Sequence, residues 1–129
     1  MMNTGIYAYN SKLTTDDKKI ALILGKEFDA VLKGALSKVW HGHPVWFLDG
    51  NPIVGYHRLK DSMRVLFWSG QSFKTPGLTR EGSFKAAEVR YTSPRDIKVT
   101  QLRKWLKESK VIQWDYKNIV KKKGKLDRI

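Results

Sequence analysis

Cysteine is absent from this 129-residue chain, which removes disulfides, thiolate nucleophiles and zinc–cysteine sites together. Long apolar runs are also missing: nothing approaches the roughly 20 residues needed to cross a bilayer. The first residues, Met1-Met2-Asn3-Thr4-Gly5, lack the basic start and apolar core of a secretory signal. A soluble protein in a reducing, cytoplasmic interior is therefore expected. The signatures of catalysis are scarce as well. No Gly-x-Ser-x-Gly elbow occurs, and no glycine-rich phosphate loop precedes a helical pattern. Asp49 and Asp61 have no spacing that argues for a paired general acid and base, so no catalytic residue is nominated.

Acidic residues are few. Twelve Asp and Glu face 25 Lys and Arg, a net charge of +13. The excess is uneven, because residues 97–129 hold eleven of the basic residues and only three of the acidic ones. The basic character thus belongs mainly to one helix and a tail. Such a region can attract polyanions or serve as a solvated face, and both readings stay open.

The length fits one domain, able to bury roughly two-thirds of the surface of its unfolded form. Residues 1–12 read as a flexible arm, residues 13–118 as a single α+β domain, and residues 119–129 as a basic, disordered tail. Thr14 is placed to cap a helix, with Asp16 and Asp17 in its first turn. Ile20, Leu24, Phe28, Val31 and Ala35 recur at helical spacing behind it, and Gly34 marks the exit. From Ser37 the pattern turns to strand. Val39 and Trp40 open a strand that Gly42 and Pro44 interrupt, Val45 to Leu48 resumes it, and Asp49-Gly50-Asn51-Pro52 is a turn. Ile53 to Leu59 returns, with Ile53, Gly55, His57 and Leu59 on one face. Met63 to Trp68 sets Arg64, Leu66 and Trp68 opposite Met63, Val65 and Phe67.

A long loop, Ser69 to Ser83, precedes a further strand from Lys85 to Thr92. Ser93-Pro94-Arg95-Asp96 reads as the capped start of a second helix, with Leu102, Trp105 and Leu106 on its apolar side. Val111 to Val120 is a further amphipathic piece. The expected architecture is an antiparallel sheet of about four to five strands, with an N-terminal helix and C-terminal helices packed on it.

Trp40 to Gly55 is the densest segment, with two of the five tryptophans and two of the three histidines. The run Lys38-Val39-Trp40-His41-Gly42-His43-Pro44-Val45-Trp46-Phe47-Leu48-Asp49-Gly50 is followed by Ile53-Val54-Gly55-Tyr56, Leu66-Phe67-Trp68-Ser69-Gly70 and Leu102-Arg103-Lys104-Trp105-Leu106. Together they resemble the YdhG-like family over roughly residues 13–118. The resemblance implies an α+β domain with an antiparallel sheet covered by helices. Some relatives are described as frataxin-like iron chaperones, so it also implies iron as a possible cargo. Frataxins present clustered carboxylates, because hard iron ions prefer oxygen ligands. Here the corresponding helix offers only Asp16, Asp17, Glu27 and Asp29, interspersed with four lysines.

Three candidate sites follow from the residues. Trp40, His41, His43, Trp46, Tyr56 and Trp68 could line a pocket for a small planar ligand, with the Ser69–Ser83 loop as its lid, or they could be core and sheet packing. His41 and His43, two apart on a continuous strand, would share a face and could bind a metal ion with Asp49 or His57 as third ligand. Arg103, Lys104, Lys107, Lys110, Lys121, Lys122 and Lys123 could engage nucleic acid, with Trp105 and Trp114 as stacking rings. The function expected is a non-enzymatic binding domain for a small ligand or metal, with nucleic-acid binding as the alternative.

Overall fold

The computed structural model describes residues 4–129. Its sheet has six strands: β1 (Leu36–Trp40), β2 (His43–Leu48), β3 (Asn51–Arg58), β4 (Met63–Phe67), β5 (Thr79–Arg80) and β6 (Ala87–Tyr91). They lie in the order β1-β2-β3-β4-β6-β5, every neighbouring pair antiparallel. Three helices accompany them: α1 (Thr4–Ser11), α2 (Thr15–Val31) and α3 (Val99–Val111). The fold is therefore α+β with an antiparallel sheet, one strand richer than the sequence suggests. No helix among the described residues is long and apolar enough to cross a membrane.

The Gly42–Pro44 break supplies one strand beyond those expected, and the short β5 lies within the segment expected to be a loop. His41 and Gly42 both take positive φ, 52° and 85°, and so do Asp49 and Gly50, 50° and 79°. Two consecutive left-handed residues match the twist of the flanking strands, so each pair closes a two-residue hairpin. The expected interruption within one strand is thus a reversal between two, and the second turn is Asp49–Gly50 alone, with Asn51 and Pro52 already in β3.

One face of the sheet meets the helices. Thr14 caps α2 as expected, its hydroxyl accepting from Asp17 N–H at 3.3 Å. Phe28 on α2 stands edge-on to Trp46, with ring centroids 5.0 Å apart, and also meets Tyr56. Phe67 meets Trp105 of α3 at 6.0 Å and Phe73 of the following loop at 5.5 Å. Ile20, Leu24, Leu102, Trp105 and Leu106 are fully buried in the same core. Residues with large side chains are concentrated here because each buried ring removes on the order of 150–250 Å² from water.

Alternation fails once. The pairing runs Trp46↔Val54 and then Phe47↔Pro52, leaving Ile53 as an extra residue on β3. This bulge turns Ile53 into the core, away from the Gly55 and His57 face on which simple alternation sets it.

Four other expectations are corrected. The arm over residues 1–12 is, in its described part, the docked helix α1. Asn10 accepts from Tyr56 Oη–H at 2.6 Å, Tyr9 Oη accepts from Arg58 N–H, and Ile6 is fully buried. Ser93 and Asp96 do form a capping box, but around a single 3-10 turn (Pro94–Asp96), and α3 starts three residues later without a side-chain cap. The Val111–Val120 piece is not a helix beyond α3, only a short bridge and one 3-10 turn, Tyr116–Asn118. The tail folds back instead of dispersing. Trp114 bridges Arg128, Ile129 N–H donates to Gln113 O, and Lys122 Nζ pairs with Asp115 and Asp127 at 3.1 and 3.0 Å. Asn51, only 2% exposed, ties this strap to the sheet: its amide donates to Gln113 Oε1 and Trp114 O, and its carbonyl accepts from Lys117 N–H.

Candidate functional site

The face of the sheet turned away from the core gathers most of the chemistry. Directly paired residues share a face. Register therefore places Trp40 beside His43, His57 beside Arg64, and Arg64 beside Arg90. The Val45↔Gly55 pair continues the ladder from β2 to β3, and His43 meets His57 with ring centroids 4.8 Å apart and planes within 17°. A row of Trp40, His43, His57, Arg64 and Arg90 thus crosses five strands. Above it, Leu36, Phe47 and Trp68 lie on the same face.

Five rings on this face touch one another. Trp40 lies 5.3 Å from Phe47 and 6.1 Å from Trp68, while His43 stacks on Trp68 at 6.4 Å and 22°. In the register, Gly55 sits midway between His43 and Trp68, so these two rings meet over a residue without a side chain. Its place is also forced by the backbone: a Cβ there would lie 2.5 Å from Pro44 O. Trp40 and Trp68 are half-buried and His43 is 8% exposed. Beside them, Leu36, Lys38, Phe47, Asp49, Gly50 and Gly34 border a groove of about 300 Å³, with Lys38 Nζ 5.1 Å from the Phe47 ring centroid.

Both imidazoles are shifted toward the neutral form. Burial, reinforced by His57, Arg64 and His41, pushes His43 down to about 4. Burial and then Arg64 lower His57 as well. Among the described residues, Nδ1 of both rings and Nε of Arg64 are buried without a hydrogen-bond partner. Glu88, on β6, receives its short contact from Arg90 at 2.6 Å and lies 3.8 Å from Arg64.

Of the six proposed ligand residues, the structure brings Trp40, His43 and Trp68 together on this face. His41 is near them in the hairpin turn, exposed, with its ring 4.1 Å from Trp40. Trp46 and Tyr56 belong to the opposite face and are fully buried. Trp46 donates its indole N–H to Asp29 at 2.8 Å. The loop of residues 69–83 is not a lid over the rings. Lys74 and Thr75 N–H donate to Glu108, and Thr75 O accepts from the Trp105 indole, which fastens the loop to α3 on the helical side.

The proposed metal ligands do not converge. The turn separates His41 from His43, and Asp49 lies at the far end of β2, about 20 Å along the strand from His43. The nearly parallel His43 and His57 rings hold their in-plane lone pairs parallel too, so these do not meet at one ion. Among the described residues, no three His, Asp or Glu side chains could hold a metal ion. Three of the four α2 carboxylates are also engaged: Asp17 with Arg58, Glu27 with Arg103 and Asp29 with Trp46. This arrangement does not fit iron.

The basic candidates scatter. Arg103 is bound to Glu27 through two nitrogens, and Lys122 to Asp115 and Asp127. Lys104, Lys107, Lys110, Lys121 and Lys123 are exposed. Trp105 is fully buried and offers α3 no stacking ring, while Trp114 is half-buried under Lys85 Nζ at 4.5 Å. The residues not singled out from the sequence are Phe47, Arg64, Glu88 and Arg90. Alternation in the β4 segment already put Arg64 with Trp68, and only the cross-strand register joined that pair to the histidines.

No family model matches this chain, and neither a curated protein nor a solved structure matches it.

Proposed function

We propose that this chain is a non-enzymatic, cytoplasmic binding domain of the YdhG-like type. Its ligand is a small planar molecule that rests on the exposed side of the sheet. The observation that carries this reading is the ring cluster of Trp40, Phe47, His43, His57 and Trp68, whose ring–ring contacts among the described residues are with one another and with His41. Large rings gathered on an uncovered sheet face supply apolar contact area at little cost in side-chain freedom, while the imidazole edges add directional polar groups. The groove beside Phe47 extends the surface.

The five indole N–H groups make the test direct, because each gives its own heteronuclear NMR signal. Titration with 2-naphthalenemethanol is expected to shift the Trp40 and Trp68 signals and leave Trp46 and Trp105, buried in the core, unmoved. Trp68→Ala is expected to weaken binding several-fold. No movement of Trp40 and Trp68 by a millimolar naphthyl probe, neutral or anionic, or equal movement of all five, refutes the proposal.

A further inference from the structure

Five buried side-chain nitrogen or oxygen atoms lack a partner among the described residues, and three of them occur together: His43 Nδ1, His57 Nδ1 and Arg64 Nε. These residues lie on three adjacent strands, in one register row of the same sheet face. Buried polar atoms are ordinarily satisfied, so a cluster of three marks a place where a partner group belongs. The missing partner is defined by its neighbours. Arg64 Nε is only ever a donor, and an imidazole Nδ1 becomes one by tautomer or by protonation. The row therefore calls for an acceptor.

Its charge calls for an anion. Arg64 and Arg90 stand side by side with the Glu88 carboxylate between them, and Asp61 and Glu81 add their charge on the Arg90 side. Glu88 accepts its short contact from Arg90 and forms only a long ion pair with Arg64, at 3.8 Å. The remaining groups around the histidines, His41 in the β1–β2 turn and Lys38 on β1, are neutral or positive. A cation would be repelled from this row, whereas a carboxylate or phosphate oxygen would satisfy it.

We infer that the planar ligand carries an anionic oxygen group, seated between Arg64 and the His43–His57 pair while its ring lies against the aromatic cluster. This rests on the binding face proposed above and specifies its ligand class. The Arg64 side chain is 21% exposed and can swing to meet such a group. An anion at this place favours the charged imidazole, so binding takes up protons and strengthens as the pH falls.

Three matched probes test it: 2-naphthoate, 2-naphthyl phosphate and the neutral 2-naphthalenemethanol. The indole signals and calorimetry at pH 6 in two buffers of different ionisation enthalpy report binding and proton uptake. At least one anion is expected to bind on the order of tenfold more tightly than the alcohol, as a charge-assisted hydrogen bond provides. The anion that gains more identifies the group as carboxylate or phosphate. Arg64→Met is expected to abolish that gain while leaving the affinity for the alcohol unchanged. Arg64→Gln serves the same purpose if Arg64→Met does not fold. Equal binding of all three at Trp40 and Trp68, or an anion gain that survives both substitutions, overturns the inference and leaves the planar-ligand reading standing. Failure of all three to move those indoles overturns both.

Discussion

Gly55→Ala is the most demanding perturbation of the sheet, because the obstacle is backbone. The added methyl would lie 2.5 Å from Pro44 O, 3.2 Å from Val45 Cγ2 and 3.4 Å from Val45 Cα. A side chain could rotate away, but a strand carbonyl moves only with its strand. Relieving the overlap requires β2 and β3 to separate by roughly 0.7 Å at the centre of their ladder, a local overpacking of the kind that costs about 3 kcal/mol. Alanine also restricts the unfolded chain, which offsets about 0.5–1 kcal/mol of this. The net loss is about 2 kcal/mol. For a chain of this length that lowers Tm by roughly 7 °C. Urea unfolding followed by tryptophan fluorescence, with calorimetry beside it, measures both quantities. A variant within about 0.5 kcal/mol of the parent, with unchanged amide shifts in β2 and β3, would refute the close-approach argument. Gly55→Val goes further, since its larger side chain enters the space over which His43 and Trp68 meet, and naphthyl probe binding should fall with it.

Asn51→Ala removes three hydrogen bonds to the C-terminal strap and leaves Lys117 N–H without its partner, while Trp114 O keeps Tyr116 N–H. The expected loss is about 2–3 kcal/mol, with faster amide exchange concentrated in residues 113–118. His43 gives stability a pH dependence. Its folded-state value of about 4 lies below its ordinary 6.5, so the unfolded chain binds a proton that the folded chain refuses. Stability is therefore full above pH 6.5 and falls by roughly 3 kcal/mol as the pH drops to 4. His43→Gln should flatten that part of a chemical-denaturation pH series, and an unchanged slope counts against a neutral, buried His43.

The sequence was most informative where a local rule acts alone. The Thr14 cap, the α2 stripe, the opposite directions of Trp46 and Phe47, and the core position of Trp105 follow from periodicity and capping, and the structure has them. It was least informative where the outcome depends on partners distant in the chain. His41-Gly42 looks like a defect in a strand until the pairing of Leu36 with Phe47 shows it to be a turn. Ile53 follows alternation until the register slips. The polar, lysine-rich composition of residues 119–129 suggests disorder, but Asp115 and Asp127 meet Lys122 and close the segment on itself. The site divides in the same way. Trp40, His43 and Trp68 were named from composition, while Arg64 and Arg90 needed the order of strands. Trp46 and Tyr56 carry the same ring chemistry as the outer-face cluster, but alternation turns them inward.

The two-residue turns also bear on how this protein can vary in length. From Leu36 to Arg58, three strands are joined by Asp49–Gly50 and His41–Gly42 with no residue to spare, and the Ile53 bulge already absorbs one extra position. Inserting or deleting a single residue within a strand there would exchange the two faces beyond that point, turning histidines inward and Trp46 or Tyr56 out. Length changes can be accommodated instead in the turn between β5 and β6, where Gly82 has open space around it. The block that holds the histidine row is thus fixed in length, and divergence in size belongs to the segments around it.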